Sequence, residues 1–389
     1  MTRSLINLPA WALLAALSLL LPPGQSTSTS SDRQDRGERP DREAPLRMLA
    51  TLVQVPTVVT DRSGKFVFGL GAGNFTVWED GKRQQITAFA TVKQPFNAVL
   101  ILDTSNCAQE RLRAIQHAAA GFLEHLGPED RVMAISFDDD VHRLTDLTSD
   151  RNEVETAILS VESGFGKLLY EAMAEGLSQL RGLEGRRAII LFSDGVDLGS
   201  IAATAKSTLG MAEEIGAVIY VVHIDTRWWI EAEARRQRSN RKDSKVPFSV
   251  DVRIPLPPDF GGPDPTPTGM PPKPRSPRIE IGSSRPSPQA QTGSPDEITT
   301  TLDKLYGEAD GYLESVTSGT AGRIFRPDNF GETRSAFAAI AEELRNQYLI
   351  GYYAPDPARR AQSYRTIKVE VARKGAVVRA RPGYRLTPR

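Results

Sequence analysis

The sequence predicts an α/β fold: a Rossmann-like, doubly wound, mostly parallel sheet inserted into a small antiparallel β-sandwich that the N- and C-terminal segments build together. Continuous apolar runs at 98–103, 132–137, 188–193 and 217–224 alternate with stretches of helical period at 109–126, 152–161, 169–180 and 201–215. That alternation is the pattern of parallel strands buried on both faces and joined by right-handed helical crossovers. On either side of it, at 49–93 and again from 347 onward, the apolar period drops to two, as in half-buried antiparallel strands. Small sheets need a partner face, so the two flanking segments are expected to pack on each other.

Taken in order, residues 1–25 read as a signal peptide, with Arg3 as a positive start, an apolar stretch from Ala10 to Leu21 and then Pro22-Pro23-Gly24. The apolar stretch is roughly half of the ~20 residues that a bilayer-spanning helix needs. Export to the periplasm, cell envelope or extracellular space follows, with no transmembrane segment beyond the signal peptide. The alternative is a buried helix or an uncleaved anchor. No cysteine directly follows the apolar stretch, which excludes a lipid-modified lipoprotein. Residues 26–48 are polar and charged, the composition of a flexible tether.

Residues 49–95 form the N-terminal part of the sandwich. Val53, Val55 and Val58, then Phe66, Val67 and Phe68, then Phe75 and Val77, then Ile86 and Phe89 mark short strands between the turns Asp61-Arg62-Ser63-Gly64 and Glu79-Asp80-Gly81-Lys82. Residues 96–346 form the α/β domain. It is interrupted at 227–295 by a basic stretch, Arg235-Arg236-Gln237-Arg238, and a proline-dense run over 255–288. Such a composition buries too little apolar surface to offset the entropy of ordering, so the insertion is expected to be disordered. A polyproline ligand for a partner domain is the other reading. Helical period resumes at 298–316, a strand fits 322–325 and a last helix fits 333–346. The C-terminal part of the sandwich, 347–389, holds strands at 347–353, 364–372 and 376–380 with a turn at Lys374-Gly375.

Charge and cysteine content bound the function. Acidic and basic side chains balance at 48 each in 389 residues, so no overall field draws the chain to nucleic acid or an anionic surface. Cys107 is the single cysteine, which rules out an intramolecular disulfide and leaves the packed cores to supply stability.

The chemistry gathers where buried runs end. The run at 98–102 ends in Asp103-Thr104-Ser105-Asn106-Cys107, and the run at 188–192 leads into Ser193-Asp194-Gly195. Ligands of open α/β sheets bind at such strand ends. This pair of motifs resembles the metal-ion-dependent adhesion site of von Willebrand factor type A (VWA) domains. The stretch Val58-Val59-Thr60-Asp61, the run Asn74-Phe75-Thr76-Val77-Trp78-Glu79-Asp80-Gly81, and the C-terminal Glu343-Leu344-Arg345-Asn346-Gln347-Tyr348-Leu349-Ile350-Gly351-Tyr352 and Gly383-Tyr384 are similar to the VWFA-related proteins typical of acidobacteria. The resemblance runs from about residue 50 to the end, the proline-rich insertion apart. It implies a VWA-type fold and an exported protein that binds a protein ligand, whose identity it does not name.

In the adhesion-site pattern a first motif supplies a carboxylate and two hydroxyls, a later loop a threonine, and a strand end an aspartate, which suits a hard divalent cation. Asp103, Ser105 and Asp194 match three of these positions. Cys107 stands at the second hydroxyl, and sulfur is a poor ligand for magnesium or calcium. In the loop Ser163-Gly164-Phe165-Gly166-Lys167-Leu168-Leu169-Tyr170-Glu171-Ala172, Lys167 stands at the threonine. Its side chain has three readings: a solvated lysine, an ammonium in the metal's place between Asp103 and Asp194, or a bystander to a retained metal. The expectation is a degenerate site with ligand-binding residues Asp103, Ser105, Lys167 and Asp194, no resident cofactor, and at most weak Mg2+ binding through Asp103, Ser105 and Asp194.

Other chemistries fall away. Gly164-Phe165-Gly166-Lys167 lacks the glycine and the hydroxyl of a phosphate-binding loop, since Val161 and Leu168 stand in their places, so the motif does not support a nucleotide hydrolase. His117 and His125 are eight apart on a helix, and His223 reads as a core or strand-end residue. Asp138-Asp139-Asp140 lacks the spacing of a calcium loop and reads as a solvated turn. Trp228-Trp229 begins the insertion, either touching lipid or a partner or packing back on the domain. The chain therefore reads as a non-enzymatic, protein-binding protein; the rival is an exported enzyme or redox sensor that uses Cys107.

Overall fold

The computed structural model describes residues 52–91, 95–105, 109–228, 230–232, 249–250, 279–280, 295–354 and 364–385. The segments expected to be a signal peptide and a tether, Cys107 and most of the proline-rich insertion lie outside the described residues. Of the insertion, Ser249–Val250 (β10) and Ile279–Glu280 (β11) pair antiparallel.

The central sheet runs β12-β9-β8-β5-β6-β7, with β5 Phe96–Asp103, β6 Arg131–Phe137, β7 Val141–Arg143, β8 Arg186–Ser193, β9 Val218–His223 and β12 Arg323–Phe325. All neighbours are parallel except β7, which turns back on β6 at the edge. Side chains alternate faces along a strand, and both faces of β5 are covered. Phe96, Ala98, Leu100 and Leu102 pack with α1 (Gln109–Leu123), α2 (Arg151–Leu159) and α6 (Phe330–Arg345). Val99 and Ile101 pack with α3 (Leu169–Leu180), α4 (Ala205–Ile215) and α5 (Pro295–Gly319). Two-sided burial is why these strands read as unbroken apolar runs. Asp150, Thr204 and Asn329 cap α2, α4 and α6 with their side-chain oxygens. The cap at Thr204 starts α4 later than the period alone suggests.

The flanking segments form two four-stranded sheets, β15-β1-β13-β4 and β16-β14-β2-β3. The N-terminal strands are β1 Leu52–Thr60, β2 Phe75–Glu79, β3 Lys82–Gln84 and β4 Ala88–Ala90; the C-terminal ones are β13 Tyr348–Tyr353, β14 Tyr364–Val371, β15 Val377–Ala380 and β16 Gly383–Arg385. Each sheet is stitched from both ends of the chain: β1 lies between β13 and β15, and β14 lies between β2 and β16. Their shared core holds Val53, Val55, Phe75, Val77, Tyr348, Ile350, Tyr352 and Ile367. The α/β fold with a mostly parallel, helix-flanked sheet and separate antiparallel sheets is thus the one the two apolar periods predict. Three short strands, β3, β7 and β16, are too brief to register a period. The apolar triplet at 66–68 contributes a single bridge, Thr60 with Phe66.

One buried polar group disciplines the sandwich. Glu79, 2% exposed, accepts from Tyr352 Oη at 2.7 Å, Tyr384 Oη at 2.9 Å and Arg365 Nη1 at 2.5 Å. A buried guanidinium deprived of its carboxylate is costly, so Glu79→Ala is expected to lose about 3 kcal/mol or more. Urea denaturation of the chain measures it; a loss under about 1 kcal/mol would mean that the network contributes little.

Candidate functional site

The strand order reverses at β5, whose neighbours are β6 on one side and β8 on the other, and ligands of such sheets bind at the carboxyl ends there. Asp103 is the last residue of β5 and Asp194 directly follows β8. The backbone beyond Asp103 is held by Thr104, whose N–H and hydroxyl both donate to Phe137 O, at 3.1 and 3.2 Å. Ser105 donates its N–H to Asp103 Oδ1 at 3.2 Å and its hydroxyl to the same oxygen.

The loop carrying Lys167 is fitted against this turn. Ser163 donates to Thr104 O at 2.9 Å, and Ser105 bridges Gly164. A Cβ at Gly164 would fall 2.0 Å from Asp138 Oδ2. Gly166 has φ +94°, and a Cβ there would meet Asp139 Cα at 2.9 Å, so both positions demand glycine. Leu168 N–H donates to Asp138 O at 3.1 Å and Leu198 N–H donates to Lys167 O at 2.9 Å. Pinned on both sides, the Lys167 side chain turns inward.

Its ammonium donates to Asp103 Oδ2 at 3.0 Å and to Asp194 Oδ1 and Oδ2 at 3.1 and 3.0 Å. Lys167 and Asp103 are each 6% exposed and Asp194 2%. Of the three readings of Lys167, the structure has the ammonium between the two carboxylates. Burial by itself would lower the lysine's proton affinity, but the charges of Asp103 and Asp194 overcome it and raise the pKa above its ordinary 10.5. For Asp194, burial works upward, and the Lys167 charge with the Thr226 hydroxyl and Val196 N–H prevail, holding it below 3.8.

Hydroxyls complete the shell. Ser193 donates to Asp103 Oδ2 at 2.8 Å while its own oxygen accepts Gly195 N–H at 3.0 Å. Thr226, beyond β9, donates to Asp194 Oδ2 at 2.5 Å, and its oxygen lies 2.7 Å from Tyr306 Oη on α5. Ser193, Thr226 and Tyr306 escape sequence reasoning. Ser193 adjoins a motif residue, whereas Thr226 and Tyr306 come from segments separated by the insertion and carry no local signal.

The structure corrects one expectation. Asp138 is not in a solvated turn: it is 5% exposed, and its Oδ1 accepts Asp140 N–H at 3.1 Å and lies 3.0 Å from His142 Nε2. Burial raises its pKa and the His142 contact partly offsets this. Asp139 and Asp140 are exposed. His223 ends β9 beside Arg326 Nη1 at 3.1 Å, and burial with the neighbouring Arg326 charge lowers its pKa. His117 is exposed and His125 Nδ1 meets Gly121 O at 2.9 Å.

Residues 98–196 match the model of the von Willebrand factor type A domain, a span that runs from within β5 to just past Asp194. Solved structures with likeness to it include BatB from Bacteroides thetaiotaomicron (18% identity over 64% of this chain and 97% of that one, TM-score 0.39). Others are the vWF domain of the type V pili tip protein Mfa5 from Porphyromonas gingivalis (16%, 65% and 95%, TM-score 0.33) and a von Willebrand factor type A protein from Catenulispora acidiphila (8%, 88% and 75%, TM-score 0.39). No curated protein matches the chain. No helix among the described residues is long and apolar enough to cross a membrane.

The charge pattern sets a pH profile. A depressed carboxylate stabilises above its unfolded pKa and loses that contribution as pH falls below 3.8; a raised ammonium stabilises below 10.5 and loses it as pH rises further. The site's contribution should be flat between roughly pH 5 and 9. Lys167→Met, which leaves two buried carboxylates facing each other, should cost about 3 kcal/mol or more at pH 7. The gap to wild type should narrow on acidification, as one carboxylate takes up a proton. Thermal melts from pH 4 to 9, on the order of one unit apart, measure both; a gap that stays constant would show that the carboxylates do not interact.

Proposed function

We propose that the chain is an exported, non-enzymatic binding protein that recognises a protein partner through the loops around Asp103, Lys167 and Asp194. The observation that carries this reading is the rim of those loops, where large apolar side chains stand in solvent around a polar, self-satisfied centre. Phe165 lies two residues before Lys167 and is 43% exposed; Trp228 lies two after Thr226 and is 68% exposed. Ile201, 93% exposed, is held out by the bond of its N–H to Glu171 Oε1 at 2.8 Å on α3. Isolated exposed apolar residues are ordinary, but three on segments that converge on one strand-end site suit an interface, where aromatic anchors dominate the energy.

Charge narrows the partner. Asp139, Asp140 and Asp225 are exposed on the same loops, while Arg227 is already paired with Asp303 and Arg326 with Asp310. The Lys167 ammonium is spent inside the site, so it is not presented to an acidic group from outside. A partner with apolar and basic side chains fits this face better than an acidic one. Catalysis finds no support here: the hydroxyls of Ser105 and Ser193 both donate to Asp103, and a serine bound in that way lacks the imidazole base that activates a nucleophile. Export rests on the N-terminal signal-like segment.

Capture from envelope extracts by the immobilised mature chain, followed by affinity measurement with the captured protein, tests the reading. Ile201→Asp and Trp228→Ala should each weaken binding about tenfold or more without changing the melting temperature. Phe68→Asp, at an exposed position in the sandwich, should leave it unchanged. Capture that ignores the rim variants and responds to Phe68 would move the interface to the sandwich.

A further inference from the structure

We infer that Lys167 is the resident cation of this domain: its tethered ammonium replaces the divalent metal that the adhesion-site pattern implies, so the site is closed to metal and works without it. The inference goes beyond partner binding and stands without it.

The donor and acceptor count closes. An ammonium has three protons, and three carboxylate oxygens lie 3.0–3.1 Å from Nζ. The remaining acceptor capacity is also taken up, by Ser105 and Ser193 on Asp103 and by Val196 N–H and Thr226 on Asp194. Magnesium requires oxygens at about 2.0–2.1 Å in octahedral array and retains several waters. Here its position is taken by Nζ, and the lysine stem arrives from the loop that would offer the threonine oxygen.

Adding a divalent ion beside the ammonium would place like charges about 3 Å apart in a buried site, a strongly repulsive arrangement. Displacing the ammonium is no easier. The Lys167 backbone is fixed through Leu168 and Leu198, and the preceding glycines fit against Asp138 and Asp139 with no room for a Cβ. A single positive charge also balances two carboxylates incompletely, and five hydroxyl or backbone donors make up the difference. Those donors stabilise the negative charge that one ammonium leaves on the two carboxylates.

Removing the lysine should restore what it replaces. Lys167→Thr restores the threonine hydroxyl of the pattern and leaves the Asp103 and Asp194 charges uncompensated beside Ser105. Lys167→Met leaves the charge without the oxygen. Titration calorimetry and thermal melts with manganese or magnesium at about 10 mM, against chelator, apply to the mature chain and both variants. Wild type should show no binding heat and no change in melting temperature. Lys167→Thr should bind manganese at least about tenfold more tightly than Lys167→Met and be stabilised by it.

Tight metal binding by wild type, or a Lys167→Thr variant that binds no better than wild type, would overturn the inference. Should both variants fail to fold, amine acetylation of native wild type read by mass spectrometry still decides. Lys167 should react at least about tenfold more slowly than exposed Lys65 and Lys206, and equal rates would overturn the inference. Ile201→Asp and Trp228→Ala should leave all of these readouts unmoved, so loss of the partner reading and loss of this one are distinguishable.

Discussion

The three-centre ion pair of Lys167 with Asp103 and Asp194 ties together elements that the sheet alone leaves apart. Asp103 ends β5, Asp194 follows β8, and Lys167 belongs to the loop before α3. Two carboxylates at neighbouring strand ends repel in a buried place, and the ammonium converts that repulsion into a clamp. Around it the donors from Ser105, Ser193, Val196 and Thr226 fix each carboxylate oxygen. Through Thr226 and Tyr306 the clamp reaches the segment after β9 and the long helix α5, the two flanks of the insertion. Five chain segments are thereby held at one point.

The rest of the molecule supports this point by rigid packing. The β5–β8 pairing carries Asp103 and Asp194 on strands buried on both faces, so their ends have little freedom to part. The sandwich joins the α/β domain through polar contacts. Arg186 donates to Thr91 O at 3.0 Å, Gln347 donates to Tyr220 Oη at 2.6 Å, and Arg385 donates to Glu213 at 2.6 Å. Arg381, buried and beside Arg187, has its pKa lowered to about 10, chiefly by burial. Directional, charge-assisted bonds of this kind orient two bodies more specifically than an apolar seam would.

Much of the architecture was legible because burial writes itself into period. Strands covered on both faces read as continuous apolar runs, and the sandwich strands read as alternation. The site was half legible. Asp103, Ser105 and Asp194 stand at strand ends beside glycine and hydroxyl residues, a local pattern. The orientation of Lys167 was not legible, since a lysine after Gly164-Phe165-Gly166 can point to solvent or inward. The Asp138 cluster was misread for the same reason: three carboxylates in a row look solvated until a glycine loop packs over one of them. Thr226 and Tyr306 are 80 residues apart with the insertion between them, and nothing local announces their meeting.

By itself, then, the amino-acid sequence determined which segments become strands and helices, that the sheet is mostly parallel, and which residues stand at its carboxyl edge. These follow from hydrophobic period and from short-range turn chemistry. Tertiary structure alone decided what the cationic side chain at position 167 touches, because that depends on where two strand ends and a glycine-bounded loop come to rest relative to one another. The same packing buries the ammonium with its two carboxylates, and a buried charge is stable only with such partners.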